Sequence, residues 1–438
     1  MHSHQCDVIV VGGGVAGLAA ATFMARQDKT VLLLEQAHDI GGRARTKQQD
    51  GFLLNQGPHA LYRGGRGIEV LRELGVEVHG KIPQVSGAYA IKGGVKHTFP
   101  AGFMSLLTTG LFGASAKFEA IRFLASLPTI DGKPLMSETL RDWIDSRISH
   151  PDVRGFLLTV FRIATYTNAP ELMSAGAAIE QLQKALAKNV LYLDGGWQTI
   201  VDGLSQAATR AGVRIETEAH VAAIPRELDG AVRGVRLADG RSFSATSVVV
   251  AASPVVVARL VERSEGSSLA RWAREAIPVR AACLDVALRT LPDARVFAAF
   301  GIDQPLYLSA HSVSARLAPE GCALIHVAKY LSPDDKQDTN SSEREMETLL
   351  DLVQPGWRDA LVYRRFLPDM IVMNAMPTAS GNGTPGRPGP EVPDVPGLYV
   401  VGDWVGREGM LVDASLASAE QVSKTISASS PRELAAAS

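Results

Sequence analysis

The chain has 438 residues, 46% hydrophobic and 21% charged. That is the ordinary globular range and excludes disorder, collagen or a small disulfide scaffold as a description of the whole. A net charge of −2 provides no global field for nucleic acid. Three cysteines (Cys6, Cys283, Cys322) make neither a disulfide framework nor a CxxC site, so a reduced, cytoplasmic setting is expected.

Met1-His2-Ser3-His4-Gln5 is short and polar. The apolar run behind it leads to glycines rather than to a cleavage site, so no signal peptide is expected. Asp7–Val11 (DVIVV) predicts a buried strand, Gly12–Gly14 a turn, Val15–Gln27 a helix and Val31–Glu35 (VLLLE) a second buried strand, a βαβ opening. A short strand at Phe52–Leu54 precedes Gly57-Pro58-His59. Between Ser86 and Phe99, Lys92-Gly93-Gly94 predicts a hairpin turn. From Ala101 to Leu191 the pattern is helical, punctuated by Pro128, Pro134, Pro151 and Pro170. Within it, the uncharged window 97–116 holds too many glycines and hydroxyl residues to span a bilayer. Phe99, Phe103, Leu106, Leu107, Leu111 and Phe112 there suit an apolar entrance, a peripheral membrane contact or plain core packing. Arg162 and Tyr166, at i,i+4, suit a polar substrate end or, with more weight, a helix-surface pair.

Beyond Gly195-Gly196, Trp197–Ala211 predicts a helix and Val213–Thr217 a strand. Val221–Ile224, Ala231–Leu237 and Arg241–Phe243 predict a β-meander turned at Asp229-Gly230 and Asp239-Gly240, and Val248–Ala251 a separate buried strand. Ala281–Leu288 and Cys322–Ala328 predict strands of a second sheet, and Asp334–Glu347 an exposed loop running into a helix. The Gly/Pro-rich stretch Ser380–Pro396 reads as a connector, Leu398–Val401 as a last core strand and Ala414–Ser427 as a last helix.

The pattern Gly12-x-Gly14-x-x-Gly17 follows a strand and opens a helix, and Glu35 ends the next strand. Gly12 permits the tight turn, Gly14 lets a pyrophosphate approach the backbone, and Gly17 lets helix and strand pack closely. Glu35 suits an adenosine ribose with a free 2′-hydroxyl. Ile40-Gly41-Gly42-Arg43-Ala44-Arg45-Thr46 adds guanidinium groups and exposed amides suited to a pyrophosphate. Near the other end, Gly402-Asp403 follows a strand and precedes a helix whose N-terminus can stabilise negative charge. The residues themselves carry the reading as far as an ADP-containing dinucleotide.

These pieces, in this order, resemble the amine oxidase and phytoene desaturase superfamily of FAD-dependent oxidoreductases. The matching stretches are DVIVVGGGVAGLAAA (7–21), VLLLEQAHDIGGRART (31–46), the strand ending in Gly57-Pro58, GGWQTIVDGL (195–204) and GLYVVGDW (397–404). The resemblance implies a Rossmann-type α/β FAD-binding domain, glutathione reductase-like with a β-meander. Its segments are 1–80, 192–265 and 385–438. It is interleaved with an α+β substrate domain (81–191 and 266–384) whose lid, 100–190, is mainly helical. It implies contacts to FAD from Gly12, Gly14, Val15, Ala16, Gly17, Glu35, Gln36, Gly41, Gly42, Arg43, Gly57, Pro58, His59, Val221, Gly402, Asp403 and Val412.

No metal or acyl-transfer motif is recognisable, so the protein's chemistry is expected to be mostly the cofactor's. His59 as an acid/base and Trp404 as a wall of the site are the catalytic candidates, each weighed against a structural role. Flavin amine oxidases carry an aromatic where this chain has Leu411, and a lysine on the strand corresponding to Arg280–Leu288, which has none. The expectation is therefore hydride transfer from a hydrophobic small molecule, desaturase-like. The alternatives are an FAD oxidase of amines or a porphyrinogen-like substrate, and a non-catalytic binding protein of the same fold.

Overall fold

The computed structural model describes residues 4–84, 86–335 and 338–428. Met1–Ser3, Lys336 and Gln337, named in the sequence reading, lie outside the described residues. The β-branched run before the first glycines forms the strand His4–Val11, and Val15–Ala25 and Val31–Leu34 complete the βαβ opening. Every residue of Val31–Leu34 is buried, as a strand covered on both faces requires. Five strands lie parallel, in the order Arg214–Glu216, Val31–Leu34, His4–Val11, Ser242–Val250, Leu398–Val400. Val221–Ala223 and Gly234–Leu237 extend the sheet antiparallel on the far side of Ser242.

Two expectations need correction. The strands placed at Arg241–Phe243 and Val248–Ala251 are one, Ser242–Val250. No Gly or Pro interrupts it. Its exposure alternates at first, where it pairs with Gly234–Leu237, and vanishes at the end, between His4–Val11 and Leu398–Val400. The last helix starts at Leu411, so Val412 and Asp413 sit in its first turn.

A second seven-stranded sheet runs Leu361–Met373, Val279–Leu288, Ala323–Leu331, Leu306–Ser309, Ala298–Gly301, Ala88–Lys92, Val95–Thr98. Strand alternation gives it two unlike faces. Leu284, Val286, Ile325, Val327 and Leu308 pack under the helix Thr339–Val353. The other face carries Cys283, Asp285, His326, Tyr330, Tyr307 and Phe300. The thirteen-residue strand Leu361–Met373 was not anticipated; Pro368 and its half-exposed charges disguise it.

Between Phe103 and Lys188, helices and short turns bury Trp143, Phe156, Phe161 and Leu157 in their own cluster. Leu106, Leu111 and Phe112 belong to that core, whereas Phe103, Met104, Leu107 and Phe118 are exposed. No helix among the described residues is long and apolar enough to cross a membrane.

Candidate functional site

Because its central strands are parallel, the first sheet brings their carboxyl ends to one edge, where ligands of open α/β sheets bind. Gly12, Glu35 and Gly402 each lie one or two residues beyond such an end. Gly12 has φ +108°, which a side-chain-bearing residue rarely adopts. A Cβ on Gly17 would lie 1.9 Å from the Gly12 carbonyl, so only glycine lets helix and turn meet. Gly14 caps the helix Val15–Ala25 without a side-chain hydrogen bond, and a Cβ there would meet nothing within 4 Å. The first-turn amides of Val15, Ala16 and Gly17 thus border open space, an anion-receptive end.

Around this cradle the other pieces assemble. Glu35 Oε2 accepts from Gly13 N at 2.7 Å, and Oε1 accepts from Ala37 N at 2.9 Å, so the carboxylate is fixed at the strand end, while neighbouring Gln36 is exposed. Ala219 N donates to the Glu35 carbonyl, which brings Val221 to the same edge. Gly41 N donates to Gly13 O at 2.8 Å, seating the Gly41-Gly42 turn on the glycine loop. Arg43, two residues on, reaches across 360 residues of sequence to Asp403, Nη1 to Oδ2 at 2.8 Å. Asn374 holds the same carboxylate through its backbone N–H and side-chain amide. Asp413, in the first turn of the closing helix with Val412, accepts from Gly67 N at 2.9 Å and Lys184 Nζ at 3.1 Å, which fixes that helix start.

Gly57 abuts the second sheet: a Cβ there would lie 2.7 Å from Met370 Cε. Pro58 and His59 follow it, and His59 Nδ1 lies 3.0 Å from the Gly57 carbonyl, its ring 4.9 Å from Trp197. Burial of the imidazole, opposed by the Gly57 carbonyl, lowers its pKa to about 4, so at neutral pH the ring is uncharged. Trp404 is not at the edge. It is 2% exposed, donates from Nε1 to the Ala252 carbonyl at 2.9 Å, and packs with Val248, Val250 and Leu398. Its surroundings are those of core packing.

Three features escaped the sequence reading. Arg387, in the stretch read as a connector, donates to the Gly409 carbonyl, but its Nε and Nη2 are buried without a partner among the described residues. Burial lowers its pKa to about 10 against the pull of Asp403. The indole N–H of Trp197 is likewise buried and unpartnered. Unmet donors, an open glycine cradle and an uncapped helix end match the acceptor-rich diphosphate and ring edge of a dinucleotide cofactor.

The second feature lies on the inner face of the second sheet. Asp285 is fully buried, with His326 Nδ1 2.5 Å from Oδ1 and Arg365 Nε 2.8 Å from Oδ2. Arg365 also bonds the Asn55 carbonyl. Burial pushes the Asp285 carboxyl up, but His326 and Arg365 outweigh it and hold it below the ordinary value. Cys283 donates to Asp285 Oδ1 at 3.2 Å. Ligand atoms of Cys283, Asp285 and His326 all lie within 4.8 Å of one another. The guanidinium already paired with Asp285, and a thiol raised by burial and by Asp285, make this a neutralised ion-pair network rather than a cation centre.

The third feature is a cavity of about 110 Å³ on the same sheet face, walled by Phe99, Tyr192, Phe297, Phe300, Tyr307 and Ser309. Tyr192 stacks on His311 at 3.8 Å, and His311 Nε2 lies 3.3 Å from the His59 carbonyl, so the cavity wall connects to the Gly57–His59 turn. Arg162, expected on a helix surface, instead has Nε and Nη1 buried, and Tyr166 packs against Tyr330.

The family model for flavin containing amine oxidoreductases matches residues 15–282. The chain belongs to that family. It is 30% identical over 136 residues to coproporphyrinogen III oxidase of Bacillus subtilis, covering 27% of this chain and 29% of that protein. It is 25% identical over 260 residues to carotenoid 3,4-desaturase of Haloarcula japonica, covering 51% of each. The alignments thus span about half or less of these relatives' own lengths. An oxidoreductase from Methanosarcina mazei has a similar fold, with TM-score 0.76 and 20% identity over 95% of this chain and 100% of that one.

Proposed function

We propose that this family member is an FAD-dependent oxidoreductase that takes hydride from a hydrophobic small molecule, dehydrogenating a C–C bond. The observation that carries the reading is the convergence of Gly14, Glu35 and the Arg43–Asp403 pair, from both ends of the chain, on one sheet edge. We take residues 1–80, 192–265 and 385–438 as a Rossmann-type, glutathione reductase-like unit and 81–191 with 266–384 as the substrate unit. The origin of the strands in the two large sheets supports that division.

When bound, FAD supplies the hydride-accepting ring. The amides of Val15 and Ala16, with Arg43 and Gly42, are assigned to the diphosphate, and Glu35 to ribose hydroxyls. Val221 offers backbone to the adenine, and Gly402 and Asp403 are assigned to the ribityl chain. The first turn of the closing helix, with Val412, is assigned to the pyrimidine end, where a helix N-terminus favours negative charge. Gly57, Pro58 and His59 face the ring. His59, neutral at physiological pH, is not a general acid there, and its lowered pKa leaves it only a weak base. The aromatic cavity wall shields a substrate from water.

A desaturase among the relatives favours an apolar substrate. Amine oxidation has less support, because Leu411 stands where a cage aromatic would be and Val279–Leu288 carries no lysine. Purified protein should be yellow, with an absorption spectrum of flavin released on denaturation. Anaerobic bleaching by an acyclic polyene, with little peroxide in air, is the expected result. Peroxide release with amines would transfer the reading to the oxidase branch, and a protein that stays colourless with added FAD would end both.

A further inference from the structure

The helix Pro151–Thr165 buries Phe156, Leu157 and Phe161 in the helical core, and its last turn carries Arg162. The guanidinium is anomalous. Its Nε and Nη1 are buried and make no hydrogen bond among the described residues. The phenol of Tyr330 and the guanidinium of Arg141, a like charge, are near enough to act on it. A helix C-terminus favours a cation, which explains why the charge is tolerated, but it leaves those two donors unfilled. Two buried, unfilled donors are costly, and a ligand that accepts from them would remove that cost.

The surroundings say what kind of ligand. Tyr166, the residue ending the helix, has φ +60°, an uncommon conformation for a residue bearing a side chain, and its ring lies 6.2 Å from that of Tyr330. Tyr330 and Tyr166 continue into Tyr307 and Phe300, which line the cavity. Arg162 does not line the cavity itself; packed rings of Tyr330 and Tyr307 link it to that aromatic chamber. A planar guanidinium fork matches a carboxylate, with two parallel N–H···O bonds.

We propose that Arg162, flanked by Tyr166 and Tyr330, anchors a carboxylate carried by an otherwise hydrophobic substrate. The inference rests on reading this chamber as the substrate's. Within hydrophobic small molecules, polyenes included, it narrows the substrate class to those carrying a carboxylate.

Holoprotein titrated with 3-phenylpropionate and with 3-phenylpropionamide tests it, read by flavin absorbance and by the ligand-dependent change in Tm. The acid should bind at least tenfold more tightly than the amide. R162Q should bring the two within threefold, and R162K should retain part of the preference. Without ligand, R162M should raise Tm, because it removes two buried unfilled donors while keeping much of the side-chain volume. Failure of the acid to bind, equal binding of acid and amide, a preference surviving in R162Q, or a fall in Tm in R162M overturns the proposal. Because Tm is read in the same samples, a colourless protein would defeat the FAD reading while the anchor was still decided on its own.

Discussion

The two large sheets solve different problems with different parts of the amino-acid alphabet. The first presents its ligand edge largely as backbone: Gly12, Gly14, Gly41 and Gly57 leave space or permit turns, while Glu35, the Arg43–Asp403 pair, Arg387 and Asp413 add charge. The second presents side chains, with Tyr307, Tyr330, His326, Asp285 and Arg365 on its inner face. A cofactor of fixed shape can be recognised by main-chain amides that any sequence possesses. A substrate face must be written in side chains, and it is free to differ between enzymes of one fold.

The sharpest test of that contrast is G14V. A Cβ at Gly14 meets no protein atom, so folding should be unaffected, while a branched side chain fills the space left for the diphosphate. Flavin affinity should fall roughly 10–100-fold for each charge-assisted hydrogen bond lost, read as flavin retained after gel filtration. An equal loss of Tm would place Gly14 with the structural glycines such as Gly17.

D285N probes the other sheet. It leaves Arg365 buried beside a neutral amide, and removing one partner of a buried ion pair costs about 3–5 kcal/mol. Thermal unfolding should show a large drop in Tm with the first sheet's capacity for flavin retained. An unchanged Tm would mean that the network is not what holds the inner face together.

The smallest effect concerns protons. His59 titrates near 6.5 when unfolded and near 4 when folded, because burial disfavours the imidazolium. The folded state binds fewer protons between those values, so this contribution is complete above pH 6.5 and is lost as pH falls toward 4. It amounts to at most about 3 kcal/mol. His311 is shifted in the same direction, also by burial. H59N should flatten the decline of apoprotein Tm between pH 6.5 and 4, and an unchanged slope would remove His59 from the desolvated set.

The same contrast explains what could be read from the sequence. The βαβ opening, the hairpin at Gly93-Gly94, the helical middle and the glycine cradle were legible because their signals are local: β-branched runs, turn residues, and Gly or Glu at fixed spacing. The Asp285–His326–Arg365 network was not, because its members lie 41 and 80 residues apart and meet only through strand register. Arg387 sits in a Gly/Pro-rich stretch where no periodicity marks burial. For Trp404, a motif neighbour of Asp403, the sequence left a site wall and core packing both open, and its burial among Val248, Val250 and Leu398 favours the second.

The strand Ser242–Val250, shared between an antiparallel partner and two parallel ones, has a consequence for the order of events in folding. Its Val248–Val250 half is flanked by residues from near the start of the chain and by Leu398–Val400. The last parallel strand therefore cannot dock until nearly 400 residues have been made, and Arg43 waits as long for Asp403. Such non-local closure is slow and leaves a sheet edge bare on a nascent chain. In this architecture, a ligand gripped by both ends of the polypeptide would act as a clasp, converting a late and entropically expensive encounter into a retained one.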